Sequence, residues 1–278
     1  MKKRVKAPGS ILRRAIVFLI LAGILVVISL LAPYICPNDP YATSSADMNR
    51  APCAQFPLGT DRYGRCVCSR VLMGARTSIF SAVALVGITF LAGSVLGLLA
   101  GWYGGVADTL IMRLADVMLA FPQMVLAIAV AGILGGGMLN ALLAMGISGW
   151  TLYARLARAQ ALSLKEEPYV HAARLSGCSG WTIMTKTLLP NMLGPLLVTA
   201  ATQIGVMMIG IAGLSFLGIG VNEPQAEWGS MINNSRAYLQ LAPWAVLAPA
   251  VATILTVMVF NYLGDCVRDA LEAKEAET

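Results

Sequence analysis

The sequence predicts an all-α integral membrane protein with about six transmembrane helices, and three observations carry that prediction. Hydrophobic residues fill 58% of the 278 positions and charged ones only 12%, with a mean hydropathy of +0.73. A soluble core of this size has no room for so much apolar surface, so it belongs in a bilayer. Second, the windows Ala15–Asn38, Thr77–Ala107, Val117–Ala154, Thr187–Asn222 and Ala237–Gly264 contain no Asp, Glu, Lys or Arg. Third, the longest of them is interrupted by Gly135-Gly136-Gly137. A crossing of roughly 30 Å needs about 20 apolar residues, so each window holds at least one span and the interrupted one reads as a hairpin of two.

The elements follow in order. Residues 1–14 form a basic start, with Lys2, Lys3, Arg4, Lys6, Arg13 and Arg14. The apolar run 15–35 is longer than a usual signal-peptide core and lacks a convincing small-x-small cleavage site, so a retained first span is expected. Residues 36–76 make an external segment rich in Pro, Asp, Asn and Arg. Within it FPLGTDRYGRCVCSR (Phe56 to Arg70) reads as a shaped cap or a solvated loop, with Asp61 pairing to Arg62 or Arg65. The membrane domain then runs over 77–265 and includes a polar island at 155–191. Arg113 and Asp116, three apart on a helix, have pairing geometry, which would offset the cost of an ionised group near the hydrocarbon. Pro190 begins, and Gly213, Gly218 and Gly220 loosen, a single span near Leu193 to Phe216. Residues 266–278 close the chain as a tail.

Charge sets the orientation. With the N-terminus inside, fourteen of the twenty Lys and Arg fall on the inner segments, leaving Arg50, Arg62, Arg65, Arg70, Arg76 and Arg236 outside. That asymmetry follows the positive-inside tendency and puts both termini in the cytoplasm. It also accounts for the sequence pI of about 9.1 without a nucleic-acid partner.

The chemistry has conspicuous gaps. No Gly-rich loop ending in Gly-Lys-Ser/Thr occurs, so P-loop binding of ATP is excluded and any energy must come from a partner. A single histidine, His171, rules out a His-based metal cluster and leaves no recognisable catalytic pair. Cys36, Cys53, Cys66 and Cys68 fall outside, an even number where disulfides persist. A bridge from Cys36 to Cys53, or from one of these to Cys66 or Cys68, and reduced thiols that merely pack both remain open. The fourteen methionines are expected as apolar filler.

The stretch Tyr169 to Asn191, YVHAARLSGCSGWTIMTKTLLPN, combines Ala172-Ala173, Gly177 and Leu189-Pro190 at spacings suited to helix, tight turn and helix. It resembles the EAA loop of the membrane-spanning subunits of bacterial ABC importers, departing from that pattern at His171 and Thr187. PLGTDRYGR, Gly74-Ala75-Arg76, WYGG with Asp108, Arg113 to Asp116, Phe121-Pro122, Tyr153-Ala-Arg155, LSFLGIG, EWGSMI and FNYLGD extend the likeness in order along nearly the whole chain. In these the chain is similar to the dipeptide, oligopeptide and nickel permease family, with Cys66 replacing a common acid.

The resemblance implies an ABC type I importer permease (MetI-like) fold in a bacterial cell membrane. Its partners would be a second homologous permease, two ATP-binding subunits, an external solute-binding protein and membrane lipid. ATP and Mg would be held by the ATPases, with no catalytic residue, cofactor or metal in this chain. Coupling would fall to Tyr169, Val170, His171, Ala172, Ala173, Arg174, Gly177, Leu189 and Pro190 in the loop 155–191, with Arg174 supplying a charge contact. RLSG, QIGVMMIGIAGLSFLGIGV and AEWGSMINNSRAY look more like the nickel branch, so chelated nickel is the expected cargo, with di- or oligopeptides as the alternative. A secondary transporter or channel acting alone is the distant alternative, since no inverted repeat stands out.

Overall fold

The computed structural model describes residues 8–275, and side chains from 13 to 270. Lys2, Lys3, Arg4 and Lys6 of the basic start, and residues 276–278 of the tail, lie outside the described residues. In chain order the α-helices are α1 (Pro8–Ile35), α2 (Val67–Tyr103), α3 (Gly105–Leu119), α4 (Gln123–Ile133) and α5 (Met138–Lys165), then α6 (Pro168–Leu175), α7 (Gly180–Ile183), α8 (Leu189–Phe216), α9 (Trp228–Ser235) and α10 (Pro243–Glu275). Among the described residues there is no named strand, in keeping with the all-α reading.

Arg13–Ile35, Val67–Tyr103, the helical run Gly180–Phe216 and Pro243–Ala270 are each long and apolar enough to cross a membrane. The pair α3–α4, bent by 87°, is apolar enough together to form a broken span or a re-entrant loop. The bend falls at Phe121-Pro122, where proline has no N–H to donate and disfavours helical backbone in the residue before it. The expected hairpin turns at Gly135-Gly136-Gly137, all at positive φ, between α4 and α5. Its first arm is only the 11 residues of α4, roughly 16 Å at helical rise, too short to cross alone. α5 has 28 residues but carries Arg155, Arg158 and Lys165 in its second half, so it is less apolar than its neighbours. Four helices are thus long and apolar enough to cross, or five with α3–α4 taken as one span; the expected six would need α5, which is not among them.

α2 is the spine of the bundle. Its 37 residues rise about 55 Å, well over the hydrocarbon thickness. It also starts at Val67, inside the segment that its arginines mark as external loop. Arg70, 1% exposed, tolerates this position because the carbonyls of Pro40 and Pro224 accept from its Nη1 at 3.2 and 3.1 Å, with Asp61 3.7 Å from Nε. Asp61 in turn accepts from Arg65 Nε at 2.7 Å, whose Nη2 reaches Glu223 at 3.1 Å. Arg62 does not take Asp61; it lies 3.9 Å from Glu223. This network and the donation from Trp244 Nε1 to the Thr60 carbonyl (3.0 Å) tie the cap to α2, the α8–α9 loop and α10.

α2 and α5 pack along a seam of small residues. Gly93, Gly97 and Gly101, four apart on α2, face Tyr153, Ala154, Ala157 and Ala161 of α5. Glycine is required at this approach: a Cβ at Gly97 would lie 2.8 Å from Ala157 Cβ and 2.9 Å from the Ala154 carbonyl carbon. Apolar burial gives helices in lipid little reason to associate, so close backbone contact of this kind is what holds them. α9 is a short buried helix wedged against α8, α2 and α10. Glu227, 1% exposed, caps it by accepting from Gly229 N (2.9 Å) and Ser230 N (2.8 Å), and Ser78 Oγ of α2 donates to the same carboxyl at 3.3 Å. Burial raises this carboxyl above the usual range, against those hydrogen bonds.

The seam gives a direct expectation. Gly97→Leu should overpack α2 against the α5 backbone, at a cost of about 1–3 kcal/mol or more, while Gly87→Leu, whose added Cβ meets nothing within 4 Å, should be near neutral. Thermal unfolding of the detergent-extracted protein checks the contrast: equal melting of both variants would remove the seam from the account.

Candidate functional site

At the end of the bundle opposite the cap, the chain leaves α5, forms α6, turns, and returns through α7 into α8. Pro168 opens α6, where its missing N–H costs nothing. The helix is pinned by apolar packing: Val170 is fully buried with Leu98 of α2, Tyr153 and Ala157 of α5, and Ile183 and Leu188 beyond the turn, and Ala173 packs against the same cluster. The opposite face is open, with Tyr169, His171, Ala172 and Arg174 exposed and Ala173 half-buried.

The turn closes as the sequence predicts. Gly177 sits at φ +80°, the left-handed conformation that glycine adopts without Cβ strain. Its N–H donates to the Arg174 carbonyl at 3.0 Å, and Cys178 N–H donates to that of Ala173 at 3.1 Å. These two bonds form a Schellman motif, which satisfies carbonyls left open at the helix end. No atom lies within 4 Å of where a Gly177 Cβ would stand, so a partner surface has free approach to this backbone. Ser179 then caps α7, accepting from Thr182 N at 3.2 Å. A π-helical turn, Met184–Leu188, joins α7 to α8, placing Leu189 half-buried and Pro190 exposed.

Three residues that matter here lie within the quoted motifs, but the motifs assign them no role. Trp102, near the end of α2, lies under the Arg174 guanidinium at 4.9 Å, and its carbonyl accepts from Lys165 Nζ at 2.8 Å. Gly180 packs against the same indole. Arg174 is therefore engaged within the chain, on Trp102. Leu175 and Trp181, on either side of the turn, are 90% and 68% exposed. Apolar groups so exposed on a polar loop mark a contact surface. The only sequence hints were an aromatic pair before Gly104-Gly105 and a lone tryptophan after Gly180.

Two ion pairs brace the same end. Asp116 accepts from Arg155 Nη2 at 2.6 Å, so its partner lies on α5, in place of the Arg113 expected from helical spacing. Asp108 is held by Arg158, with Nη2 to Oδ2 at 2.6 Å. Both join α3 to α5. At the cap end Cys36, Cys53, Cys66 and Cys68 are free thiols. Cys36 Sγ lies 3.5 Å from the Ser69 carbonyl; burial pushes the thiol up, and Cys68 and Cys66 are near enough to add to that.

With this geometry in hand, likeness to known proteins is informative. Residues 93–276 match the family model for the binding-protein-dependent transport system inner membrane component. A glutathione transport system permease, GsiD of Pectobacterium atrosepticum, is 41% identical over 90% of this chain and 84% of its own length. The dipeptide permease DppC of Alkalihalophilus pseudofirmus is 39% identical over 94% of this chain and 86% of its own. The nickel permease NikC of Escherichia coli K12 is also 39% identical, over 91% and 92% respectively. In solved structures, a chain of the inward-facing MetNI methionine ABC transporter covers 70% of this chain and 94% of its own at a TM-score of 0.51. At 18% identity that likeness speaks to the fold, which is MetI-like. From the family match and these relatives, the chain belongs to the inner-membrane permeases of the peptide and nickel ABC importers, a transport subunit and not an enzyme.

Proposed function

We propose that this chain forms one half of a translocation pore and that residues 169–191 receive the motion of an ATPase subunit. The observation that carries this reading is the two-sided character of α6. One side is locked to α2 and α5 through Val170 and Trp102, while His171, Ala172, Leu175 and the Gly177 backbone face outward. A push on the open side has a rigid path into α2. A second permease of the same family would complete the pore, two ATPases would bind ATP and Mg, and an external binding protein would deliver solute. The positive-inside count supports a reading with α6 and both termini on the cytoplasmic side and the cap outside.

For the cargo, RLSG, QIGVMMIGIAGLSFLGIGV and AEWGSMINNSRAY favour chelated nickel, whereas relatives named for glutathione, dipeptide and nickel match at 41%, 39% and 39%. Short peptides are therefore an equal reading. Uptake of labelled nickel against a labelled dipeptide by the assembled complex separates them.

Two substitutions test the coupling role. Gly177→Asp should lower ATP-driven uptake about tenfold or more while the complex still assembles, because the strain of a left-handed non-glycine residue is only about 1–2 kcal/mol and the added carboxylate stands in the docking face. Unchanged uptake would sink the role. Trp102→Ala removes a ring contact worth about 0.5–2 kcal/mol, so amides of 168–176 should exchange with deuterium several-fold faster and ATP hydrolysis should proceed with less transport per turnover. Unaltered exchange would show that Trp102 does not hold α6.

A further inference from the structure

Most arginines at the cap end have a partner. Arg50 pairs with Asp47 at 2.9 Å, Arg62 and Arg65 with Glu223, and Arg65 and Arg70 with Asp61. Arg236 rests over the Phe216 ring at 5.3 Å. Among the described residues Arg76 has neither an acid nor a ring, and its side chain is exposed. It lies on α2, about 13 Å along the helix from Val67, within the segment suited to cross the membrane.

Arg76 lines a cavity of about 470 Å³ between α1, α2, the start of α5 and the α8–α9 loop. The other polar groups in its wall are Tyr41, Thr77, Ser81 and Gln225, all neutral, and no Asp or Glu lines it. Leu30, Met73, Phe80 and Met138 supply the apolar remainder. A volume in the range of small-molecule sites, mostly apolar, with a single cation and a few neutral hydrogen-bonding groups, has the make-up of a site for a small organic monoanion. A guanidinium matches a carboxylate in shape as well as charge, through two parallel N–H donations. A bare divalent cation would meet only a like charge.

We propose that Arg76 and this cavity form a transient site for the carboxylate of a passing solute, a short peptide or a carboxylate-chelated metal. The proposal rests on the importer reading above and narrows its cargo to carboxylate-bearing solutes.

The test uses the whole complex with its binding protein in proteoliposomes, and compares ATP-driven uptake of alanyl-alanine with that of its C-terminal amide. Selection by the binding protein is common to wild type and variants, so it cancels when their acid-to-amide ratios are compared. Arg76→Gln should lower that ratio about tenfold, the loss expected for one charge-assisted hydrogen bond. Arg76→Lys, which keeps the charge and lacks the fork, should fall between, and it carries the test should Arg76→Gln fail to assemble. An unchanged ratio with normal uptake overturns the site while leaving the importer reading intact. Equal loss of both forms also overturns it and assigns Arg76 to a contact with the second permease. Uptake of nickel chloride with neither dipeptide form moved overturns the carboxylate cargo and leaves an importer of bare cations; no ATP-driven uptake of any of the three overturns both readings.

Discussion

The approach of α2 to α5 is the contact on which the rest of this molecule depends. Lipid tails are as apolar as the helix faces they touch, so burial of leucine against leucine does not draw two membrane helices together. Backbone proximity does, and here it is bought with Gly93, Gly97 and Gly101 against the alanines of α5. Because the seam runs along the α6-facing half of α2, those two helices behave there as one rod. The cap is fastened to one end of that rod through Arg70, and α6 to the other through Trp102 and Val170.

Charge placement follows from the same scarcity of water. Many of the ionised groups at the ends of the bundle are paired or act as caps. Asp61 serves two arginines, Asp108 and Asp116 take Arg158 and Arg155, and Glu227 spends its carboxyl on the N-terminus of α9. Removing one partner from the buried Asp61, Arg65 and Arg70 set would leave the others uncompensated, which is far costlier than the pair is stabilising, whereas the exposed Asp116–Arg155 pair is worth little. These pairs therefore act as fixed registers between segments distant in sequence. Arg70 joins residues up to 154 positions away. Against that background an arginine with no partner in an otherwise neutral cavity stands out.

How much of this was legible beforehand depends on the dimension of each constraint. The length of apolar chain needed to cross a bilayer is one-dimensional, so charge-free windows marked α1, α8 and α10 and the turn at Gly135 to Gly137. The left-handed turn at Gly177 is local and was equally readable. The true start of α2 was hidden, because Arg70 looks like loop until its partners at Pro40, Asp61 and Pro224 are in place. Arg113 and Asp116 were paired from helical spacing alone, and the nearer match for Asp116 came from another helix. The seam was missed for a related reason: glycine every fourth residue is visible in the sequence, but only the facing alanines give it meaning.

The α6 end shows how those constraints combine. Arg174 reads as a charge offered to a partner, yet its guanidinium lies over an indole at the end of α2. The outward face that remains is small and partly apolar: Ala172, Leu175, the bare Gly177 backbone and Trp181. A surface of that kind seats by shape and burial more than by salt bridges, which makes the histidine at position 171 unremarkable as a replacement for an acid. The charge at this end instead points inward and fixes α6 to the rod. A loop that is polar in sequence thus presents apolar knobs outward, while Arg174 and Lys165 turn to Trp102 at the end of α2.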